Sequence, residues 1–182
     1  MDHLRVTNIT ASFKVDRTFE LVALCDDPLT YPSRVTVKNG KAKKFHSAVQ
    51  RLVVNGKMVT ALVYESGSVV LVGGQSQEIV TGAMIAFLEE HNCHLAAPLV
   101  FSNFVFTFSV KRRLNLRKLY HSILVHPLLS CPVYEVELFP SLLVSYNKVK
   151  ASIFHTGRVI ITGCRHPTQG QEMYTILISL FE

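Results

Sequence analysis

The chain of 182 residues contains no run of 18 uninterrupted apolar residues, so no segment reads as a membrane span. Its opening residues, MDHLRVTN, carry no apolar core of a secretion signal. The four cysteines, Cys25, Cys93, Cys131 and Cys164, stand far apart with no CxxC pair, and free thiols in an intracellular setting are the expectation. No Ser/His/Asp order, paired carboxylates or glycine-rich phosphate loop occurs with suitable spacing, which argues against an enzyme. The run His91-Asn92-Cys93-His94 has metal-binding residue types. Its spacing fits no common zinc signature, so neither a metal nor a cofactor is expected. Acidic residues are scarce in the second half. Residues 1–95 hold ten Lys/Arg against nine Asp/Glu, and residues 96–182 hold nine against four, giving +1 and +5. Such asymmetry suggests a polyanionic partner engaged mostly by the second half.

What is present is a duplication. Residues 61–73, ALVYESGSVVLVG, return as residues 151–163, ASIFHTGRVIITG. The turn glycines are Gly67 and Gly157, an offset of 157 − 67 = 90 residues. Residues 8–24, NITASFKVDRTFELVAL, align without gaps on residues 103–119, NFVFTFSVKRRLNLRKL. Asn8/Asn103, Phe13/Phe108, Val15/Val110, Arg17/Arg112, Leu21/Leu116 and Leu24/Leu119 are identical. Two matched blocks in one order predict a unit used twice, residues 1–95 and 96–182, forming one pseudo-twofold domain.

Taken in order, residues 8–15 alternate, with Ile9, Ala11, Phe13 and Val15 on one face, as a half-buried strand does. Residues 19–25 predict a short helix and residues 28–44 a loop holding Lys41, Lys43 and Lys44. Asn55-Gly56 predicts a hairpin between strands 45–54 and 57–64, and residues 68–73 form the next strand. In residues 76–91 the period becomes helical, with Ile79, Val80, Ala83, Met84, Phe87 and Leu88 on one side and Ser76 as cap. Residues 94–98 read as a linker. The second copy then repeats the order: strand from 103, short helix, a loop at 127–132, strand residues 134–146, the hairpin, and a closing helix over 173–181.

That order leaves the sheet covered on one side only. Yet Val69 and Leu71 oppose Val70 and Val72, and Val159 and Ile161 oppose Ile160 and Thr162, so both faces are apolar. A sheet with one solvated face normally alternates to polar there, and exposed apolar sheet surface marks a binding site.

These residues resemble a known family. Residues 134–142, YEVELFPSL, are very close to the YEPELFPGL stretch of the TATA-box-binding protein family. The two hairpins resemble that family's LLIFVSGKxVLTG and ALIFxSGKMVxTG segments, and NITASF and NFVFTF resemble QNIVATV and QNIVGSC. The resemblance spans both copies and is loosest outside residues 134–142, as for a divergent, TATA-binding-protein-related factor. It implies an α+β fold, a saddle built as a pseudo-twofold repeat of a curved antiparallel sheet with helices on the convex face. It further implies a nuclear transcription initiation factor that binds and bends AT-rich double-stranded DNA through the minor groove.

The resemblance also assigns residues. Asn8 and Asn103 match the central asparagines, whose amides donate to the groove acceptors of A and T. Thr10, Leu62, Val70, Val72, Val105, Ser152, Ile160 and Thr162 would share the groove face. The aromatic wedges fall on Phe45 with Tyr64 and on Phe139 with Phe154. Tyr64 departs from the family's Phe, and a phenol buried against bases without a partner costs about 1–3 kcal/mol. Phosphate contacts fall on Lys43, Lys44, Arg51, Arg158 and Arg165, whereas Ser68 and Gln75 stand where the family has lysines. Glu135, Glu137 and Leu138 match the loop that engages the B-type general initiation factor. Residues 75–95 lack Lys and Arg, so contacts that need the family's basic convex helix would give way to a different partner, basic or apolar; other initiation or TBP-associated factors are further partners the resemblance implies. The apolar face also leaves room for a homodimer. The rival reading is a protein-interaction paralogue with weak or lost DNA binding, using the same face to dock a protein.

Overall fold

A computed structural model describes residues 2–25, 30–32, 37–38, 41–42 and 46–181. Along the chain the elements are β1 (Arg5–Val15), α1 (Leu21–Leu24), β2 (Thr30–Pro32), β3 (Val37–Lys38), β4 (Lys41–Ala42), β5 (Ala48–Val54), β6 (Lys57–Val63), β7 (Ser68–Gly74) and α2 (Gln77–Glu90). Then come β8 (Leu95–Ser109), α3 (Leu116–Leu124), β9 (Ser130–Val133), β10 (Ser141–Tyr146), β11 (Val149–Phe154), β12 (Arg158–Cys164) and α4 (Pro167–Phe181). The chain divides into two compact units, one of Asn8–Ser102 and one of Met1–Thr7 with Asn103–Glu182.

In the first unit the strands run β2-β5-β6-β7-β1, all antiparallel. In the second they run β8-β12-β11-β10-β9, again antiparallel. The alternation seen in the sequence sets which side chains go inward. Ile9, Ala11, Phe13, Ala61, Val63, Val69 and Leu71 are buried in the first unit, as are Phe104, Phe106, Phe108, Ala151, Ile153, Val159 and Ile161 in the second. Each sheet meets one long helix. From α2, Val80, Ala83 and Phe87 point inward, and the Phe87 ring lies edge-on to Phe13 at 5.6 Å and Phe19 at 5.9 Å. From α4, Met173, Leu177 and Phe181 do the same, with Tyr174 at 4.8 Å from Phe108. Losing a ring buried like Phe87 costs about 3–5 kcal/mol.

The duplication reappears as paired backbone hydrogen bonds. Val15 N–H donates to Gly67 O at 2.9 Å, and Val110 N–H to Gly157 O at 3.1 Å. Phe19 N–H donates to Glu65 O at 3.1 Å, and Leu114 N–H to His155 O at 2.8 Å. The turn glycines explain their identity across the copies. Gly67 and Gly157 have φ of 79° and 86°, and a Cβ on either would sit 2.3 Å from the carbonyl oxygen of Arg17 or Arg112. Only glycine satisfies both the left-handed backbone and the approach of that carbonyl.

Several boundaries differ from the sequence reading. Residues 94–98 are not a linker: β8 begins at Leu95. Its first residues are largely exposed and contain Pro98, so neither burial alternation nor strand propensity marked them. Within the expected 127–132 loop lies the start of β9, held by register pairs Ser145/Ser130 and Leu143/Val133. Residues 134–140 are irregular, so strand structure in 134–146 is confined to β10. The closing helix starts six residues early because Pro167 suits a first helical turn and Gln169 Oε1 accepts from the N–H groups of Arg165 and His166. Short strands β2, β3 and β4 interrupt the expected 28–44 loop. The strand expected to open at 45 starts at Ala48.

Burial also sets thiol chemistry. Cys164 is fully buried beside Phe104 and its thiol is pushed up to about 11. Burial raises the Cys93 thiol too, with Asp16 adding to the effect. A thiol reagent at pH 8 is expected to modify exposed Cys131 fast and Cys93 and Cys164 only on unfolding. Because the folded Cys164 holds its proton above the ordinary 9.0, stability should fall as pH rises from 9.0 through about 11. Chemical denaturation should show Gly157→Ala and Gly67→Ala each losing about 1–3 kcal/mol. Gly56→Ala, where nothing lies within 4 Å of the new methyl, should lose less.

Candidate nucleic-acid interface

The face of each sheet turned away from its helices is built from every second residue. In the first unit it carries Asn8, Thr10, Ser12, Thr60, Leu62, Val70 and Val72, all half-buried. Register joins them: Thr10 and Thr60 both oppose Val72, and Ser12 and Leu62 both oppose Val70. In the second unit Asn103, Val105, Ser152, Ile160 and Thr162 are half-buried in the same way, with Leu143 opposite Ser152 and Ser152 opposite Ile160. Thr107, opposite Ile160, is buried, and its hydroxyl accepts from Arg5 Nε at 3.3 Å. Among these described residues, each face is thus a patch of aliphatic, hydroxyl and amide side chains with no carboxylate.

The two asparagines are held alike. At each, the ladder slips by a residue: Ile9 pairs with Gly74 but Thr10 with Val72, and Ile161 pairs with Phe106 but Cys164 with Phe104. The glycine inside the slip has positive φ, 103° at Gly73 and 82° at Gly163. Its freed N–H donates to the neighbouring asparagine, Gly73 to Asn8 Oδ1 at 2.7 Å and Gly163 to Asn103 Oδ1 at 2.9 Å. With Oδ1 accepting from the backbone, the two Nδ2 donors of each amide are the groups with which it can serve a further acceptor. Gly73 and Gly163 were missed as contributors in the sequence, although their identity across the copies was the available signal.

Phe139 and Phe154 meet edge to face at 6.1 Å, and Phe139 is 48% exposed. Tyr64 is half-buried at the end of β6, and its backbone N–H donates to Ser68 O at 3.0 Å. Phe45, Lys43 and Lys44 lie outside the described residues. Arg51 is exposed on β5 with its guanidinium 5.5 Å from the centre of the Tyr31 ring, while Arg158 and Arg165 are exposed at the start and just past the end of β12. Glu135, Glu137 and Leu138 are all exposed in a turn closed by Leu138 and Phe139 N–H donating to Glu135 O. Leu138 is 79% exposed there. His91 and His94 have other engagements: His91 Nε2 lies 2.9 Å from Gln50 Oε1, and His94 Nδ1 3.4 Å from Asp16.

The family model of transcription factor TFIID, or TATA-binding protein, matches residues 3–90 and again 99–182. The chain belongs to the TATA-binding protein family. It is a family of DNA-binding general transcription initiation factors rather than of enzymes. TATA-box-binding protein 2 of Methanosarcina acetivorans is 27% identical over 182 residues, covering 96% of this chain and 92% of that protein. The TBP-related factor of Drosophila melanogaster is 28% identical over 174 residues, covering 89% of this chain and 69% of that protein. Methanococcus jannaschii TBP superposes with a TM-score of 0.68 at 22% identity, covering 98% of this chain and 97% of that one. The fold is therefore the TATA-binding protein fold, the α+β class expected from the sequence.

The paired asparagine bonds make a direct test. In Asn8→Ala or Asn103→Ala, amide hydrogen exchange should quicken at Gly73 or Gly163 respectively, while the amides of Ala61 and Ala151 in the buried strands keep their protection.

Proposed function

We propose that this protein is a promoter-binding initiation factor that lays its two open sheet faces into the minor groove of AT-rich duplex DNA and bends it. The observation that carries the reading is the pair of asparagines whose oxygens are occupied by glycine N–H groups. Donors alone are then left to serve a further acceptor, and the minor groove of A·T pairs offers acceptors alone. The aliphatic and hydroxyl side chains around them suit a widened, shallow groove, and the Phe139/Phe154 pair has the exposure and bulk to enter a base step. Arg51, Arg158 and Arg165 supply phosphate contacts, and with Lys43 and Lys44 they form the expected set. Glu135, Glu137 and Leu138 would then recruit the B-type general initiation factor. In a eukaryotic host this work takes place in the nucleus. The two repeats act as one pseudo-symmetric domain.

Ser68 and Gln75 leave the first repeat short of phosphate contacts, so binding is weaker and more salt-tolerant than in family members that keep both lysines. Thr10, Ser152 and Tyr64 make the face more polar. Tyr64, Thr10, Ser68 and Gln75 favour the second reading, in which a protein docks on the same face and DNA affinity is residual.

Mobility shift on a short AT-rich duplex at low salt, with and without the B-type factor, separates the two readings: no shift in either condition rejects DNA binding. If DNA is bound, Phe154→Ala should weaken it by about 1–3 kcal/mol, the worth of one stacked aromatic on nucleic acid. Arg158→Ala and Arg165→Ala should each lower the slope of log K against log salt by about one.

A further inference from the structure

The positive charge of the second half is not spread evenly. Residues 111–126, KRRLNLRKLYHSILVH, hold five cations and no carboxylate, and residues 96–134 contain no Asp or Glu at all. Lys111, Arg112, Arg113, Arg117 and Lys118 are all exposed. Two have partners within their unit: Lys111 Nζ lies 2.7 Å from Asp2 Oδ1, and the Arg112 guanidinium donates to the carbonyl of Phe181. Arg113, Arg117 and Lys118 make no ion pair among the described residues. Helix α3 turns Leu116, Leu119 and Ile123 into the core and packs on β9 and β10. The outer side of α3, with Arg117 and Lys118, is therefore turned away from the core and lies on the helix-covered side of its sheet, not on the side that carries Asn103.

Beside the charges stand apolar side chains that the core does not use. Leu124 is 54%, Val125 84% and Leu128 53% exposed. Arg117, His121 and Leu124 share one side of α3 at i, i+4 and i+7, with Lys118 and Val125 next to them. A cavity lined by Arg113, Leu114, Lys118, Ser122 and Leu180, among others, adjoins the start of the helix. Phosphates would call for the cations and leave the aliphatics in water. Acidic protein segments that carry their own apolar residues satisfy both.

We propose that the outer side of α3 and the loop that follows it dock an acidic, leucine- or phenylalanine-bearing peptide segment of a partner protein. Carboxylates pair with Arg113, Arg117 and Lys118, and apolar side chains cover Leu124 and Leu128. This surface is independent of the groove face and remains free while DNA is bound.

The test is fluorescence anisotropy of two short labelled peptides, one alternating Glu/Asp with Leu/Phe at helical spacing and one polyglutamate of equal length, together with an AT-rich duplex. The mixed peptide is expected to bind more tightly than polyglutamate and to lose at least about tenfold in the triple variant R113E/R117E/K118E, as charge reversal at an interface demands. The double variant L124S/L128S should weaken the mixed peptide and leave polyglutamate unchanged. R113Q/R117Q/K118Q gives the same ordering without added negative charge, and thermal melts confirm that each variant is folded. Equal binding of the two peptides, indifference of the mixed peptide to both sets of changes, or a loss of duplex affinity in the glutamine variant would each overturn the proposal. The last would mark a nucleic-acid surface instead.

Discussion

Each sheet of this protein has two apolar faces, and its helices cover only one. Covering Ala61, Val69, Leu71 and their counterparts Ala151, Val159 and Ile161 with α2 and α4 provides the hydrophobic burial on which folding rests. Leu62, Val70, Val72 and Ile160 are left half-buried by strand alternation itself, because successive side chains must point to opposite sides. The exposed aliphatics are therefore a geometric consequence of having too few layers. Keeping β-branched residues there preserves strand propensity and makes the surface adhesive at once.

Within that surface each unit carries one local break in regularity. The ladder slips at Gly73 and at Gly163, and each slip leaves one backbone N–H without its strand partner. An asparagine on the adjacent strand accepts it, so a single carbonyl both repairs the defect and fixes the orientation of its amide. A bulge of this kind re-aims a side chain without a loop. The same device stands in both repeats, which places matched donors on both faces from one solution duplicated.

Most of this was legible in the residues. The 90- and 95-residue offsets, the helical period of 76–91 and the alternation at 8–15 gave the repeat, the helix and the inward face. Which side chains lie on the open face followed because parity along a strand leaves no freedom once one side is assigned. What escaped detection has physical reasons. The start of β8 is a strand whose side chains are mostly in water, so it carries no burial signal. The first turns of α4, PTQG, look like a loop because polar residues and a glycine hide a proline in its favourable first position. The role of Gly73 and Gly163 lies in a backbone N–H, which no side-chain pattern reports. The cationic run at 111–118 was visible as composition, but placing Arg117 and Lys118 on the outer side of α3 needed the packing of that helix.

The chain order of the two units shapes the polypeptide as a mechanical object. Residues 1–7 pack with 103–182: Asp2 N–H donates to Ser109 O, Thr7 Oγ1 to Val105 O, and Arg5 to Thr107. The amino terminus is thus structural material for the carboxy-terminal half. Severing the polypeptide midway would not release two self-sufficient pieces, since the later piece would lose the contacts of residues 1–7 that only the earlier one encodes. During synthesis Ile9–Lys14 can pair with β7 early, whereas residues 2–7 of the same stretch must wait for residues 105–109, about a hundred positions later. The gene duplication that made two copies has in this way been knitted into something that can no longer be undone by simple cutting.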